Sequence, residues 1–190
     1  MARWQPDARE RLVAAALDLF NEQGYDDTTV AQICQRAGLT KSTFFRHFPD
    51  KRDVLAAGQD AIGRLLAEGI AAAPADTTPL HAVCAGLRSA SSAFTQVNRD
   101  LAPKLRAAIA ASVELQERNA LKQIGLAAAI AAALRGRKVP EQTAVVAAEL
   151  GALALKTAYV RWADPGETRD LGDMACEALR ELRAAITDLA

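Results

Sequence analysis

The chain has 190 residues, of which 51% are hydrophobic, and its 23 basic and 23 acidic side chains give a formal net charge of zero. That length can bury a sizeable core in one or two small domains, and the even balance excludes a chain that is basic throughout. Three widely spaced cysteines without a CxxC pair predict reduced thiols, with no disulfide framework and no structural zinc. Since an apolar signal core and unbroken apolar runs of about 18 residues are absent, we expect a soluble, cytoplasmic protein with no membrane partner.

The first predicted element is an amphipathic helix over residues 7–24. Its apolar side chains lie on one side, its charged side chains on the other, and Gly24 ends it. Arg9 and Arg11 on this helix, with Arg3 before it, either form a solvated face or reach DNA as an N-terminal arm. We expect this helix to support the elements that follow.

Two short helices separated by a tight turn are predicted in the next stretch, TTVAQICQRAGLTKSTFFRHFPDKR. Thr29 caps the first helix, because Thr29 and Gln32 fit a capping box, and Gly38 ends it, because glycine tolerates a positive φ angle. Thr40 caps the second helix, and Pro49 prevents its continuation. This layout is typical of a helix-turn-helix, whose second helix enters the major groove of DNA.

Positive charge concentrates around the second of these helices. Between residues 36 and 52 the chain has five basic residues and a single acidic one, Asp50, although the whole chain is neutral. Phe44 and Phe48 are four residues apart and are assigned to the core, which leaves mostly donor side chains on the other faces. Such a local cluster indicates a surface that binds phosphate.

These residues resemble the DNA-binding domain of the TetR family of bacterial transcriptional regulators. The resemblance rests on GLTKSTFFRHFPDKRDVL and the preceding TTVAQICQRA. Phe45 departs from the family pattern, which usually has tyrosine there, and Cys34 replaces the usual alanine. The resemblance implies an all-α protein of about nine helices. Residues 1–52 would form a three-helix helix-turn-helix DNA-binding domain, and residues 53–190 a larger helical domain for effector binding and dimerisation.

The resemblance also implies contacts with double-stranded DNA. The positions that match the family's contacts are Thr28, Thr29, Thr40, Lys41, Ser42, Thr43, Phe45, Arg46, His47 and Lys51. Lys41 and Arg46 are the candidates for reading guanine edges, and Phe45 can pack on a thymine methyl. Phosphate contacts, which fix position but read no sequence, are assigned to Thr28, Thr40, His47 and Lys51.

The remainder of the chain predicts further helices and no strands, because no segment alternates with a period of two. Asp50 begins a fourth helix that runs to about Ala73 and links the two domains. The other predicted elements are a helix at 80–97, a break at 98–103, a helical stretch to 137 that bends near Glu114, and helices at 141–162 and 170–189.

The last two predicted helices carry wide apolar surfaces. In the TetR family these helices pair with those of a second subunit in a four-helix bundle, so the resemblance implies a homodimer. A purely intramolecular core is the alternative. The residues assigned to the interface are Val145, Ala148, Ala152, Leu171, Ala175, Leu182 and Ile186.

A small-molecule site is implied between the helices that follow the DNA-binding domain, where TetR-family proteins bind ligands that weaken or alter operator binding. The assigned pocket residues are Ile62, Leu66, Cys84, Leu87, Phe94, Tyr159 and Trp162. Each of them also fits a tightly packed core, and both interpretations stay open.

We predict a homodimeric transcriptional regulator, most simply a repressor released from a palindromic operator by a small molecule. The alternatives are an activator, a redox-responsive regulator of the same fold, and a helix-turn-helix protein that acts through protein contacts. No enzyme, cofactor or metal is expected, because neither His47 nor His81 has a partner at catalytic or metal-ligand spacing. Cys84 and Cys176 are interpreted as small apolar residues, with a redox-sensing thiol as the alternative.

Overall fold

The computed structural model describes residues 8–54, 59–164 and 166–188. In this part of the chain we find nine α-helices, one short 3₁₀ helix and no strand, which confirms the all-α prediction. The α-helices are α1 (Ala8–Gln23), α2 (Val30–Ala37), α3 (Lys41–His47), α4 (Gln59–Ala72), α5 (Pro79–Ser91), α6 (Gln96–Ala111), α7 (Val113–Gly136), α8 (Glu141–Trp162) and α9 (Leu171–Asp188). Arg3 and the predicted helical positions Leu55 and Leu189 lie outside the described residues.

Helices α2 and α3 begin and end at the predicted capping residues. Thr29 Oγ1 accepts the backbone N–H of Gln32 at 3.3 Å, and Gln32 Oε1 accepts that of Thr29 at 2.7 Å, which completes the capping box. Gly38 ends α2 with a φ angle of 65°. Thr40 begins α3 by accepting the backbone N–H of Thr43 at 3.2 Å. The predicted arrangement of two short helices around a glycine turn is confirmed.

The predicted start of the fourth helix at Asp50 is wrong. The chain forms the 3₁₀ helix Lys51–Val54, and α4 begins at Gln59. The Asp50 carboxylate accepts the backbone N–H of Arg52 at 2.7 Å and holds the guanidinium of the same residue at 2.5 Å. An aspartate that binds two residues ahead in this way stabilises a turn, which competes with the start of an α-helix.

The predicted break over residues 98–103 is also wrong, because α6 runs through it. The interruption lies at residues 92–95, after which Thr95 Oγ1 accepts the backbone N–H of Asn98 at 3.4 Å and Asn98 Oδ1 accepts that of Thr95 at 2.8 Å. This reciprocal pair starts the helix upstream of Pro103. The proline then removes one backbone donor inside the helix without ending it.

The described residues form two compact units. The first unit contains residues 8–54 and 100–121, and the second contains residues 59–99 and 122–188. This division differs from the predicted domains, 1–52 and 53–190, because residues 100–121 of α6 and α7 pack with the N-terminal helices. Periodicity in the sequence shows that a segment is helical, but not which helices it contacts.

The core of the first unit joins the three N-terminal helices to the segment 100–121. Leu12, Ile33 and Phe44 are fully buried in it, together with Ala108 and Leu115 of the segment. Several polar contacts also hold the segment in place: Tyr25 Oη donates to Glu114 Oε1 at 2.9 Å, Lys104 Nζ to Asp18 Oδ1 at 2.5 Å, and Arg118 to Asp53 Oδ1 at 2.5 Å. Burial, with the hydrogen bond to Glu114, raises the pKa of Tyr25 well above its ordinary value.

The second unit is built from α4, α5, α8 and α9 with the C-terminal part of α7. Two glycines let α4 and α5 approach closely. A Cβ atom at Gly86 would lie 2.7 Å from the carbonyl oxygen of Leu66, and one at Gly69 would lie 2.7 Å from Ser89 Cβ. Larger residues at these two positions would therefore push the helices apart.

The prediction of reduced, unpaired cysteines is wrong for two of the three. Cys84 on α5 and Cys176 on α9 form a disulfide, with Cα atoms 5.2 Å apart. Their separation of 92 residues gave no sign of the pairing, since spacing in the sequence does not report which helices are neighbours. Cys34 is free and buried, and burial raises the pKa of its thiol, which makes it a poor nucleophile.

Helix α8 has the length and apolar composition of a membrane-spanning helix, by those two criteria alone. Glu149 and Lys156 interrupt its apolar residues, and 44% of the apolar window is buried inside the structure. A core helix of a soluble protein passes the same test, so we assign α8 to the core of the second unit.

Candidate functional site

Helix α3 has one buried face and one exposed face. Phe44 and Phe48 lie in the core of the first unit, as the sequence predicts, and their rings are 5.5 Å apart. Phe45 points the other way and is 56% exposed, with its ring edge-on to that of Phe44. The remaining candidates on α3 divide into the exposed Lys41, Ser42 and Arg46 and the half-buried Thr43 and His47.

Two of the five basic residues in this region are both exposed and without an ion pair among the described residues. Arg36 is bound through both guanidinium nitrogens to the Glu22 carboxylate, at 2.9 and 2.7 Å. Arg52 pairs with Asp50, as described above. Lys41 and Arg46 have no ion pair within the described part of the chain. The positive charge that the sequence spreads over residues 36–52 is thus concentrated on α3.

Lys51 is held inside the first unit. Its ammonium donates to the carbonyl oxygens of Tyr25 at 2.7 Å, Thr28 at 3.0 Å and Asp26 at 3.3 Å, and it lies 4.1 Å from the centre of the Tyr25 ring. These contacts tie the 3₁₀ helix to the loop between α1 and α2. An internal role of this kind was not predicted, and a phosphate contact by Lys51 stays a prediction.

The predicted role of the Thr28 hydroxyl does not fit the structure. This hydroxyl was predicted to bind phosphate, but Thr28 is only 1% exposed. Its hydroxyl donates to the carbonyl oxygen of Gly24 at 2.7 Å and accepts from Gln23 Nε2 at 3.4 Å. A phosphate contact requires an accessible donor, so we remove the Thr28 hydroxyl from the candidate surface.

The other polar candidates combine a local structural role with access to solvent. Thr29 and Thr40 are exposed, and their hydroxyls cap α2 and α3. Thr43 Oγ1 lies 3.0 Å from Thr40 Oγ1. His47 is half-buried, and its Nε2 is buried without a hydrogen-bond partner in the described residues. A phosphate contact by His47 stays a prediction.

A cavity of about 900 Å³ lies in the second unit. Residues of α5, α8 and α9 line it, beginning at Thr78, the cap of α5. Its walls are largely apolar, and the disulfide residues Cys84 and Cys176 form part of them. The basic lining residues are Arg88, Arg180 and Arg183. The lining residues on α9 were not predicted from the sequence, although Cys176, Leu179, Arg180 and Arg183 recur at the three-to-four spacing of one helix face.

The predicted pocket residues do not gather around this cavity. Among the seven, Cys84 lines it. The others belong to the packed core: Ile62, Leu66, Leu87 and Trp162 are buried, and Phe94 and Tyr159 are half-buried. The rings of Phe94, Tyr159 and Trp162 form a cluster with centroids 5.7 to 6.2 Å apart. A ligand at these positions stays a prediction.

The predicted interface residues fall on different faces of α8 and α9. Ala148, Ala152, Leu171 and Ala175 are buried within the second unit, Leu182 is half-buried, and Val145 and Ile186 are exposed. Helix α8 also exposes Val146, Leu153 and Val160, which recur at seven-residue spacing, with Val145 beside the first of them and the exposed charged residues Glu149 and Lys156 on the same side of the helix. We define the four apolar side chains as the α8 face. An exposed row of this kind on one helix is typical of a surface that binds another chain.

Known protein sequences match part of this chain. A family model described as "Bacterial regulatory proteins, tetR family" matches residues 12–57. The HTH-type transcriptional regulator TcmR of Streptomyces glaucescens is 37% identical over 81 residues, which are 43% of this chain and 36% of TcmR. The chain spans about a third of the length of the first curated relatives that it matches.

Solved structures match over nearly the whole chain at low identity. A transcriptional regulator from Aquifex aeolicus matches with a TM-score of 0.56 and 19% identity, over 94% of this chain and 99% of that chain. SmeT in complex with triclosan matches with a TM-score of 0.54 and 21% identity, over 95% of this chain and 91% of SmeT. These likenesses show a shared fold.

Proposed function

We propose that this chain is a member of the TetR family of bacterial regulatory proteins and acts as a cytoplasmic transcriptional repressor that binds a palindromic DNA operator as a homodimer. One observation carries the proposal. The capped helix α3 exposes two cations without ion pairs, Lys41 and Arg46, on either side of an exposed aromatic ring, Phe45. Charge without a partner in the folded chain is available to DNA phosphates and base edges.

Each exposed side chain of α3 has a role that its chemistry suggests. Arg46 carries a planar group that can bind the two acceptors of a guanine edge, and Lys41 can donate to the same atoms. Phe45 can cover a thymine methyl. Since Phe45 lacks the hydroxyl of the usual tyrosine, the phosphate contacts must rest on donors such as Ser42 and Thr40.

A second subunit is supported by the α8 face. Its four side chains, Val145, Val146, Leu153 and Val160, are each more than a third exposed in the single chain. Burying them against the same face of another copy removes apolar surface from water, and it would present two copies of α3 to DNA. The half-sites would then lie about one helical turn, roughly 34 to 36 Å, or somewhat more apart.

A small molecule is proposed to release the repressor from its operator. The cavity of about 900 Å³ in the second unit supports this step, as does the structural likeness to SmeT, which was solved with triclosan. A ligand that favours the conformation with weaker DNA binding couples the two equilibria, typically by about 1 to 3 kcal/mol. An activator would use the same residues of α3, and expression of the regulated gene after deletion of this one distinguishes the two.

DNA binding is tested by selecting bound fragments from a random pool and footprinting the selected sequence. We expect two protected half-sites related by a dyad. Affinity should fall steeply with salt, because each neutralised phosphate releases counterions. If no sequence is enriched and no salt-dependent binding is found, the proposal is wrong, and a role through protein contacts gains support.

Replacing Leu153 with glutamate should convert the dimer to a monomer, because two carboxylates would be buried in the α8 face. Sedimentation velocity at micromolar concentration measures the change. Ile124→Glu is the matched control, since Ile124 is also exposed and lies on α7 in the second unit. A Leu153→Glu protein that remains dimeric would overturn the assignment of this face.

The disulfide favours a second candidate, a regulator that responds to oxidants. Two thiols would lose two protons and two electrons to a peroxide or a small disulfide as the Cys84–Cys176 bond forms.

Reduction of this disulfide should lower the free energy of unfolding by about 2 to 5 kcal/mol. If the bond also controls DNA binding, a thiol reductant should change the operator affinity of the native chain and leave that of Cys176→Ser unchanged. Equal affinity of the oxidised and reduced native chain would exclude this candidate.

A further inference from the structure

We infer that the cavity between α5, α8 and α9 binds an amphipathic organic anion, a molecule with an apolar body and a single carboxylate or comparable anionic group. The regulatory meaning of such a ligand rests on the proposed function. Binding itself requires only the second unit.

The walls of the cavity define the apolar part of the ligand. Leu80 on α5, Leu150 on α8 and Leu179 on α9 are among its lining residues. A volume of about 900 Å³ falls within the range of ligand pockets, and mostly apolar walls with a few polar groups are typical of them. A small inorganic anion would leave these walls in contact with water.

The charged residues that line the cavity define the polar part of the ligand. Arg88, Arg180 and Arg183 line the cavity, and none of the described residues that line it is an aspartate or a glutamate. Arg88 is bound by Asp173 at 3.1 Å, so its charge is largely compensated. Arg180 and Arg183 have no carboxylate partner among the described residues. The cavity therefore carries net positive charge at its α9 side.

The position of Arg180 is fixed at this side. Its Nε donates to the carbonyl oxygen of Cys176, one turn earlier on α9, at 3.3 Å. Since the guanidinium has five donors, the remaining ones stay available for an anion. Arg183 follows three residues later, on the same face of the helix. Two guanidinium groups so close together repel a cationic ligand and favour a carboxylate.

The inference is tested on the purified full chain without DNA. Isothermal titration calorimetry compares decanoate, decanol and decyltrimethylammonium, which share an apolar chain and differ in charge. We expect decanoate to bind once per chain, about ten-fold or more tightly than decanol, with the cation weakest. The Arg180→Gln, Arg183→Gln double variant should bind decanoate no better than decanol, and its affinity for decanol should not change.

Two controls keep the result clear. Arg64→Gln removes an exposed arginine from α4, whose described residues do not line the cavity, and should leave decanoate binding unchanged. If the double variant does not fold, as judged by circular dichroism, Arg183→Gln alone gives the comparison. Equal affinity for decanoate and decanol in the native chain, or decanoate binding that survives loss of both arginines, would overturn the inference.

The test also separates this inference from the proposed function. A chain that protects an operator but does not discriminate decanoate from decanol refutes the ligand class and leaves the repressor intact. A chain that binds decanoate through Arg180 and Arg183 but protects no DNA supports the ligand class and refutes the repressor.

Discussion

Replacement of Arg46 with alanine is expected to weaken operator binding by on the order of 10²- to 10⁴-fold. A good bidentate arginine contact with guanine is worth about 1 to 3 kcal/mol, and a dimer loses two of them. The fold should not change, because Arg46 is exposed and has no ion pair in the described part of the chain. Competition with single-base operator variants then shows which base pair the native residue reads.

Arg106→Ala is the matched control for this prediction. Arg106 is an exposed arginine of the same unit, on α6 rather than α3, and its loss removes the same charge. We expect a small, salt-dependent loss of affinity that is equal for all sequences. If Arg46→Ala behaves like Arg106→Ala, Arg46 contributes only charge and does not read a base.

Replacement of Phe44 with alanine is expected to lower the free energy of unfolding of the first unit by about 3 to 5 kcal/mol. Phe44 of α3 is 0% exposed and packs in the core of the first unit, so its loss leaves a cavity. That is a large share of a typical domain stability of about 5 to 15 kcal/mol. Urea denaturation followed by circular dichroism measures the change.

The neighbouring residue provides the control. Phe45→Ala removes the same ring from the exposed face, 56% accessible, and should change stability by no more than about 0.5 kcal/mol. Its effect should instead be seen on DNA, as weaker binding to operators with a thymine at the contacted position. Similar losses of stability in the two variants would contradict the assignment of these rings to opposite faces.

Local features of the fold were predictable because the chemistry that fixes them lies within a few residues. Thr29 and Thr40 hold the N–H groups three positions ahead, and Gly38 has the left-handed backbone that its turn requires. Periodicity likewise separated the buried Phe44 from the exposed Phe45. The caps, the turn and the order of the candidate contacts on α3 are therefore set by residues within the helix-turn-helix itself.

Features that join distant parts of the chain were not predictable. The Cys84–Cys176 bond, the cavity beside it and the packing of Leu115 with the N-terminal helices all depend on which helices are neighbours. The charge of Arg36 was counted as available because its partner, Glu22, lies outside that window of the sequence, and the pairing of Arg52 with Asp50 is seen only in the folded chain. A count of charges in a sequence window thus overstates the positive surface.

The division of the first unit into two stretches of chain has a consequence for its synthesis on the ribosome. Residues 8–54 cannot complete their core until residues 100–121 have been made, because Ala108 and Leu115 fill part of it. At about 5 to 20 residues per second, the partly formed unit waits roughly 3 to 13 seconds with apolar surface exposed to water. During that time the helix-turn-helix has been translated but lacks the packing that residues 100–121 provide. A nascent chain therefore completes the proposed DNA-binding surface only after more than half of the protein has been made.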